Sequence, residues 1–296
     1  MSELIACGEC LVDMVPDEAG CFCPHPGGAP ANVAVAVARL GGKAAFLGKR
    51  GADSFGDLLL DHLRENGVDT RAFTATGEAM TALAVIQYRS GKVPEFAFYR
   101  NPGADELLRP EDLPGDLLDG ARAFHFGSIS LYSEPAASAT RAGADRVRAA
   151  GGLVSYDPTL RPAIMETRPG ALAAARAALA DAHIVKASTE ELLLLTDDAD
   201  EAAALDVLFG LGVALVAVTR GPDGATVATA GERVDLPGEA VEVVDTTGAG
   251  DAFTAGLLTG LLERGLGPAD LPALSRADLS ALGDWANRVA ASSTTR

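Results

Sequence analysis

The sequence predicts an α/β fold in which a mainly parallel sheet is covered by helices on both faces. Short β-rich runs alternate with Ala- and Leu-rich helical stretches along most of the chain. The length of 296 residues is enough to bury a sizeable core and allows one large domain or two small ones. A pair of β-rich runs with no helix between them interrupts the alternation, which predicts a small additional β element.

The strands and helices of the main sheet follow from this alternation. The predicted strands are Leu4–Cys7, Ala44–Leu47, Ala123–Phe126, Leu153–Tyr156, His183–Lys186 and Val213–Thr219. Helices such as Ala171–Ala182 and Glu201–Leu211 are expected to connect them. Residues Thr81 to Arg100 form the exception, because they predict two strands joined by a turn at Ser90-Gly91-Lys92. Such a hairpin is either a lid over a binding site or an edge hairpin of the main sheet.

The first glycine-rich segment, "GGAPANVAVAVARLGG" from Gly27 to Gly42, predicts a tightly packed helix. Pro30 lies near its first position, and Gly41-Gly42 would end it. Asn32 is a polar residue in the first turn of this otherwise apolar helix, so it is either a satisfied core residue or a ligand-binding amide. The preceding glycines allow a small polar ligand to approach the backbone closely, which favours the second interpretation.

The second glycine-rich segment, "DTTGAGDAF" from Asp245 to Phe253, predicts the start of an apolar helix. Thr246 or Thr247 would be its N-cap, and Gly248-Ala249-Gly250-Asp251 its opening turn. Free N–H groups and the positive end of the helix dipole favour an anion such as phosphate there. The Asp251 carboxylate would repel an anion, so we expect it to accept a proton from a nucleophile that attacks the bound phosphate.

Asp13, predicted at the end of the first strand, is either a turn residue before Pro16 or an acceptor for the hydroxyls of a sugar or polyol. Neither glycine-rich segment matches the G-x-x-x-x-G-K-[ST] phosphate-binding loop or the G-x-G-x-x-G dinucleotide motif. A nucleotide would therefore be held in another way.

The charge and the cysteines exclude several classes of protein. A formal net charge of −17 argues against nucleic acid and against an anionic membrane surface as partners. The sequence has no basic amino-terminal leader and no apolar run of roughly 20 residues, so a cytoplasmic protein is expected. Cys7 and Cys10 are predicted on opposite faces of the first strand, and this argues against a zinc site with Cys21 and Cys23.

Taken together, these segments resemble the PfkB-type (ribokinase-like) carbohydrate kinases, and most closely the fructokinases among them. The two glycine-rich segments resemble the two signatures of the family. Further similar segments are "FYRNPGADELL", "HFGSISL", "DPTLRP", "KASTEELLLLT" and "VTRGPDG". The resemblance runs from about residue 4 to residue 291. It implies one three-layer ribokinase-like domain over residues 1–296, with a small β-sheet lid built from about 12–23 and 81–100.

The resemblance also implies roles for individual residues on the sugar side. Asp251 would be the general base, and Gly248, Ala249 and Gly250 would form the anion hole for the transferred phosphoryl group. Arg161 would reach the reacting phosphates or the substrate. The residues implied to hold the sugar are Asp13, Gly27, Gly28, Asn32 and, closing from the lid, Arg100.

On the nucleotide side, the resemblance implies ATP and Mg²⁺ as cofactors. The residues implied to bind ATP are Lys186, Ser188, Thr219, Gly221, Gly224 and Asn287, while Glu191 would organise Mg²⁺ indirectly through water. A monovalent cation such as K⁺ near the loop before the anion hole is compatible with the family. The oligomeric state is left open, a homodimer included.

The activity implied most directly is phosphorylation of fructose at its 6-hydroxyl by ATP. Close fructokinases have Asn where this chain has Thr159, and a Leu-Trp pair where it has Pro162-Ala163-Ile164-Met165. A kinase acting on 2-keto-3-deoxygluconate or another sugar is therefore the nearest alternative, since Arg100 and Arg161 could pair with a substrate carboxylate. A sugar- or nucleotide-binding regulator without turnover is the alternative from a different class.

Overall fold

A computed structural model describes residues 3–89 and 93–295 of the chain. The strands are β1 (Leu4–Cys7), β2 (Leu11–Pro16), β3 (Phe22–Gly27), β4 (Ala44–Gly51), β5 (Phe73–Thr76), β6 (Leu83–Arg89), β7 (Val93–Tyr99), β8 (Ala123–Gly127), β9 (Leu153–Asp157), β10 (Ile184–Ser188), β11 (Leu215–Thr219), β12 (Ala225–Ala228) and β13 (Arg233–Leu236). The α-helices are α1 (Ala29–Arg39), α2 (Ser54–Glu65), α3 (Gly115–Asp119), α4 (Ala136–Ala149), α5 (Pro162–Met165), α6 (Ala171–Ala177), α7 (Thr189–Thr196), α8 (Glu201–Gly210), α9 (Ala249–Glu263) and α10 (Arg276–Ser293).

The main sheet has nine strands in the order β13-β12-β11-β10-β9-β8-β1-β4-β5. The strands from β11 to β5 in this order pair in parallel, whereas β12 and β13 are antiparallel and form one edge. This confirms the predicted α/β class with a mainly parallel sheet. All six strands predicted from the sequence are present, with ends that differ by at most a few residues.

Two hydrophobic cores cover the two faces of this sheet. Successive residues of β1 point to opposite faces, so Leu4 and Ala6 belong to one core and Ile5 and Cys7 to the other. The first core is covered by α1, α2, α9 and α10, and the second by α4, α6, α7 and α8. A strand buried on both faces favours apolar residues at every position, as in β1.

The second sheet contains four strands in the order β3-β2-β6-β7. Strands β6 and β7 form the predicted hairpin, whose turn at Ser90-Gly91-Lys92 lies outside the described residues. Because the hairpin pairs with β2 and not with the main sheet, the edge-hairpin alternative is wrong. We call this four-stranded sheet the small sheet.

Two local predictions for the first strands are corrected by the structure. Asp13 does not end the first strand; it lies within β2 of the small sheet, because the chain leaves the main sheet after Cys7. Cys10 likewise lies outside β1, so the face argument does not apply to it. The four cysteines are free, and the described residues contain no cluster of three or more His, Cys, Asp or Glu side chains suited to a metal ion.

Two predicted helices end earlier than expected. α6 stops at Ala177 and continues as a 3₁₀ turn over Ala178–Asp181, and α8 ends at Gly210. Within residues 3–89 and 93–295, no helix combines the length and apolarity that a membrane crossing needs.

Candidate active site

The start of α9 is built by the second glycine-rich segment. The helix begins at Ala249, and Gly248 before it adopts a left-handed conformation with φ of 75°. The predicted threonine N-cap is therefore wrong, because no described side chain caps this helix. The Thr247 hydroxyl and backbone N–H instead donate to the Asp245 carboxylate at 2.8 and 2.9 Å. An uncapped first turn keeps helix N–H groups available to an anionic ligand.

Asp251 lies in this first turn and is almost fully buried. The Asn32 amide, from the first turn of α1, donates a hydrogen bond of 2.8 Å to Asp251 Oδ2. Burial is the main cause that raises the pKa of Asp251 to about 6, and the negative charge of Asp157 adds to it. The hydrogen bond from Asn32 and the charges of Lys186 and Arg161 act in the opposite direction. A carboxyl group with such a pKa is largely ionised at neutral pH and still basic enough to take a proton.

One cavity, of about 80 Å³, opens on the Asp251 side of the α9 start. Its lining includes six residues predicted from the sequence, and these are Asp13, Gly28, Asn32, Arg161, Gly248 and Asp251. We call it the sugar-side cavity. Burial raises the pKa of the Asp13 carboxyl to about 6, against the opposing charges of Arg161 and His25.

The two glycines before α1 have steric reasons to be glycine. A Cβ on Gly27 would lie 2.2 Å from Asp13 Oδ2, and a Cβ on Gly28 would lie 2.5 Å from the Glu9 carbonyl oxygen. Gly28 also has a φ of 107°, which residues with a side chain rarely adopt. The pair therefore makes room for the Asp13 carboxylate and for the close passage of the backbone at Glu9.

A second cavity, of about 580 Å³, opens on the opposite side of the α9 start. It is lined by four residues predicted to bind ATP, namely Thr219, Gly221, Gly224 and Asn287, together with Ala249 and Gly250. We call it the nucleotide-side cavity. A Cβ on Gly224 would lie 2.0 Å from the Leu236 carbonyl oxygen, and the Asn287 amide donates to the Pro237 carbonyl at 3.1 Å. The two cavities therefore meet at the first turn of α9.

A buried ion pair lies directly beneath this meeting point. Lys186 Nζ is 3.0 Å from Asp157 Oδ2, and the Thr254 hydroxyl donates to the same oxygen at 3.2 Å. A Cβ on Gly250 would lie 2.7 Å from Lys186 Nζ, so the ammonium group touches the first turn of α9. Burial opposes the charge of Lys186, but the surrounding carboxylates of Asp157, Glu191 and Asp251 keep its pKa raised. Lys186 thus borders the first turn of α9. It is absent from the described lining of the nucleotide-side cavity.

The predicted Mg²⁺-organising pair forms a capping box at the start of α7. Glu191 Oε2 accepts from the Ser188 backbone N–H at 3.0 Å, and the Ser188 hydroxyl accepts from the Glu191 N–H at 3.2 Å. The other carboxylate oxygen, Oε1, accepts from the Leu160 N–H at 2.7 Å. Both oxygens are engaged by backbone groups, but each retains lone-pair capacity for a water molecule.

Arg100 is engaged in buried ion pairs. Its guanidinium lies 2.7 Å from Asp105 Oδ2 and 2.9 Å from Glu106 Oε1, and Glu106 also pairs with Arg168 at 2.9 Å. Arg100 is not among the described residues that line the cavity. Its predicted contact with the sugar stays a prediction.

Sequence reasoning missed Glu9 and assigned no role to Thr159, both of which line the sugar-side cavity. Glu9 follows β1 by two residues, and polar residues at the carboxyl ends of parallel strands commonly face a ligand site, so a signal existed. Thr159 has a φ of 41°, an uncommon value for a β-branched residue, and its hydroxyl donates to Asp157 Oδ1 at 3.0 Å. Nothing in the sequence marks that conformation.

Comparison with known proteins gives consistent matches along the whole chain. Residues 1–296 match the pfkB family of carbohydrate kinases. The probable fructokinase-4 of Arabidopsis thaliana is 42% identical over 271 residues, which cover 88% of this chain and 83% of that protein.

Two solved structures have the same fold and similar coverage. The fructokinase of Vibrio cholerae O395 with fructose, ADP and a calcium ion bound is 35% identical, with a TM-score of 0.89 over 100% of this chain and 94% of that one. The fructokinase of Xylella fastidiosa with bound ATP is also 35% identical, with a TM-score of 0.93 over 99% and 92% of the two chains.

Proposed function

The chain belongs to the pfkB family of carbohydrate kinases, and within that family we propose that it is an ATP-dependent fructokinase producing fructose 6-phosphate. The observation that carries the proposal is the meeting of two cavities at the uncapped start of α9, with the Asp251 carboxylate on one side. The fructose-, ADP- and ATP-bound fructokinases of similar fold support it.

The reaction we propose is a direct in-line transfer. Asp251 accepts the proton of the sugar 6-hydroxyl as its oxygen forms a bond to the γ-phosphorus of ATP. The bond from that phosphorus to the bridging oxygen breaks at the same time, and ADP leaves with the electron pair. Asn32 holds the carboxylate of Asp251 in position through its 2.8 Å hydrogen bond.

Charge on the transferred group would be stabilised by the first turn of α9. Its N–H groups and the helix dipole act on the equatorial oxygens, and glycines at 248 and 250 keep side chains out of the path. The Lys186 ammonium, at the back of this turn, adds a buried positive charge. Arg161, which lines the sugar-side cavity, lowers the pKa of Asp251 and supplies a further cation near the reacting atoms.

We further propose Mg²⁺ as the metal ion that accompanies ATP. A bound divalent ion neutralises phosphate charge and usually keeps several waters, so a direct cage of protein carboxylates is not required. Glu191 suits such indirect binding, because backbone donors fix its carboxylate while lone pairs remain for water. A monovalent cation near the loop before Gly248 stays a prediction of the family resemblance.

The charges of the sugar-side cavity favour a neutral sugar over 2-keto-3-deoxygluconate. Three carboxylates, Glu9, Asp13 and Asp251, line the cavity, whereas Arg161 is the cation among its described lining residues. Arg100 is already paired with Asp105 and Glu106. The substrate carboxylate of an acid sugar would therefore meet more negative than positive charge.

A comparison of sugars tests the assignment. Values of kcat/KM with MgATP are measured for fructose, 2-keto-3-deoxygluconate, ribose and glucose, in the native chain and in Arg100→Ala. We expect fructose to be preferred, because a site built around hydroxyls rejects analogues that lack them by up to about 10⁴-fold.

Two outcomes would contradict the proposal. A higher value for the acid sugar that is lost selectively in Arg100→Ala would assign the chain to the keto-deoxygluconate kinases. Sugar binding by calorimetry without turnover of any sugar would instead indicate a regulator.

A further inference from the structure

Glu9 is a buried carboxylate that the proposed reaction does not use. It follows β1, lines the sugar-side cavity and is only 2% exposed. Its Oε2 atom has no hydrogen-bond partner among the described residues. Buried polar side-chain atoms nearly always have a partner, so an acceptor of this kind at a cavity wall points to a ligand.

Two other buried atoms near Glu9 share this property. Arg100 uses two of its nitrogens on Asp105 and Glu106, which leaves Nη1 without a partner among the described residues, and Asp105 Oδ1 also has none. Arg100 and Asp105 both influence the pKa of Glu9, so the three side chains lie within electrostatic range of one another. Of these three residues, Glu9 is the one that lines the sugar-side cavity as described, and a sugar hydroxyl, which donates as well as accepts, would satisfy its Oε2.

The protonation of Glu9 is compatible with a hydroxyl partner. Burial raises its pKa to about 7, while a hydrogen bond from its own backbone and the charges of Arg100 and Arg161 act to lower it. At neutral pH the group is therefore present in both forms, and either form can bond to a hydroxyl. A permanently charged ligand would not be needed to satisfy it.

The position of Glu9 relative to Asp251 suggests which part of the sugar it meets. Asn32, in the first turn of α1, contacts Asp251, whereas Gly28, directly before α1, packs against the backbone of Glu9. Asp251 and Glu9 are therefore approached from positions four residues apart at the start of α1, and both line the cavity. We propose that Glu9 binds a hydroxyl on the part of the sugar that faces away from the transferred phosphoryl group, and that it determines sugar specificity. The inference rests on the proposed sugar kinase activity.

Deoxy sugars combined with substitutions at Glu9 test the proposal. Values of kcat/KM are measured for fructose and for its 1-deoxy, 3-deoxy and 4-deoxy analogues in the native chain, Glu9→Ala and Glu9→Gln. We expect Glu9→Ala to lower the value for fructose about 10- to 100-fold, the range of a hydrogen bond that involves a charged group. One analogue should have a kcat/KM well below that of fructose in the native chain but equal to that of fructose in Glu9→Ala. The hydroxyl that this analogue lacks has no partner in the variant.

The controls separate this role from a structural one. KM for ATP should stay unchanged, since Glu9 does not line the nucleotide-side cavity as described. Glu106→Gln is the matched control, because Glu106 is also a buried glutamate and is absent from the described lining of the sugar-side cavity. We expect it to change the values for all four sugars by a common factor.

Three outcomes of these measurements would contradict the role of Glu9 or the proposed function. If the loss of kcat/KM of every deoxy analogue relative to fructose is the same in Glu9→Ala as in the native chain, Glu9 Oε2 binds water and the proposal is wrong. If Glu9→Ala does not fold, Glu9→Gln is used because it retains the shape of the side chain. An unchanged loss of kcat/KM for every analogue in that variant contradicts the proposal as well. If the native chain phosphorylates another sugar and not fructose, the proposed function fails, while the deoxy analogues of that sugar decide the role of Glu9 separately.

Discussion

The two cavities at the start of α9 differ in size and in the chemistry of their walls. The sugar-side cavity has about 80 Å³ and is lined by three carboxylates, an amide and a guanidinium. The nucleotide-side cavity has about 580 Å³ and is lined mainly by glycines, small residues and exposed valines of the segment 238–246. The first offers directional polar groups of fixed position, and the second offers backbone and apolar surface.

This difference predicts where single substitutions matter. On the sugar side, Asp251 accepts a hydrogen bond from Asn32 and lies among charged neighbours, so removing one of these groups disturbs the pKa or the position of another. On the nucleotide side, contacts with backbone and apolar surface are spread over many atoms, and a side-chain change removes a small share of them. Substitutions on the sugar side should therefore have larger effects than substitutions on the nucleotide side.

Asp251→Ala should cause the largest loss. The change removes the proposed base, whose contribution is typically about 10²- to 10⁴-fold, so we expect kcat to fall by that factor. Binding of ATP, measured by calorimetry, should stay within about twofold, because Asp251 lines only the sugar side among the described cavities. Retention of more than about a tenth of the native kcat would exclude Asp251 as the base.

Asp251→Asn should reduce turnover and at the same time stabilise the fold. The pKa of Asp251 in the folded chain, about 6, is above its ordinary value of 3.8, so the ionised group destabilises the folded state above pH 6 and ceases to do so as the pH falls towards 4. We expect the free energy of unfolding at pH 8 to rise by about 1–3 kcal/mol in the variant. Urea denaturation at pH 8 and pH 5 measures this, and an equal gain at both values would contradict the explanation.

The pH dependence of kcat/KM should reveal the contact between Asn32 and Asp251. The proposed base must be ionised, so activity should fall about tenfold for each pH unit below about 6. Asn32→Ala removes a hydrogen bond that lowers this pKa, so the acidic limb of its profile should move to higher pH. The activity loss relative to the native chain should therefore be larger at pH 6 than at pH 8.5.

Asp13 complicates this profile, because its pKa is also raised to about 6. The pH profile of Asp13→Asn provides the control for this carboxyl, and that of Glu9→Gln the control for Glu9, whose pKa is raised to about 7. If Asn32→Ala lowers activity equally at every pH, Asn32 contacts the sugar alone and does not adjust the basicity of Asp251.

Asn287→Ala tests the nucleotide side, and its effect should be smaller. The amide donates to the Pro237 carbonyl and so supports a wall of the nucleotide-side cavity. A neutral hydrogen bond is worth about 1 kcal/mol, so we expect KM for ATP to rise about three- to tenfold and KM for fructose to stay constant. A loss of 10²-fold or more in kcat would remove the proposed contrast between the two sides.

The sequence predicts the fold better than the contacts between the residues of the candidate site. Alternating β-rich and helical runs depend on local periodicity, and the paired glycine segments lie where helix starts require them. The predicted threonine cap at the start of α9 rests on the general preference for threonine as an N-cap. It is wrong because the Thr247 hydroxyl donates to the Asp245 carboxylate instead. Contacts between distant parts of the chain, such as that of Asn32 with Asp251, have no local signal.

Thr159→Asn should produce the smallest effect, and it concerns strain. On the nucleotide side, the positive φ values of Gly221 and Gly224 belong to glycines, which adopt them freely. On the sugar side, Thr159 has a φ of 41°, where a β-branched residue is strained and asparagine is much better tolerated. We therefore expect the variant to be more stable by about 1 kcal/mol, measured by urea denaturation.

The control for this change is Asp197→Asn, because Asp197 also has a positive φ of 61° but already belongs to a tolerant residue type. Its stability should change by no more than about 0.5 kcal/mol. The Thr159 hydroxyl and N–H both bond to Asp157 Oδ1, and Asp157 in turn pairs with Lys186 at the anion site. If strain at Thr159 helps to hold this pair, the stabilised variant should have a kcat lowered about two- to fivefold, since such a shift corresponds to less than 1 kcal/mol. Equal stability of Thr159→Asn and the native chain would mean that the surrounding contacts already relieve the strain, and the two cavities would then differ in polarity but not in backbone strain.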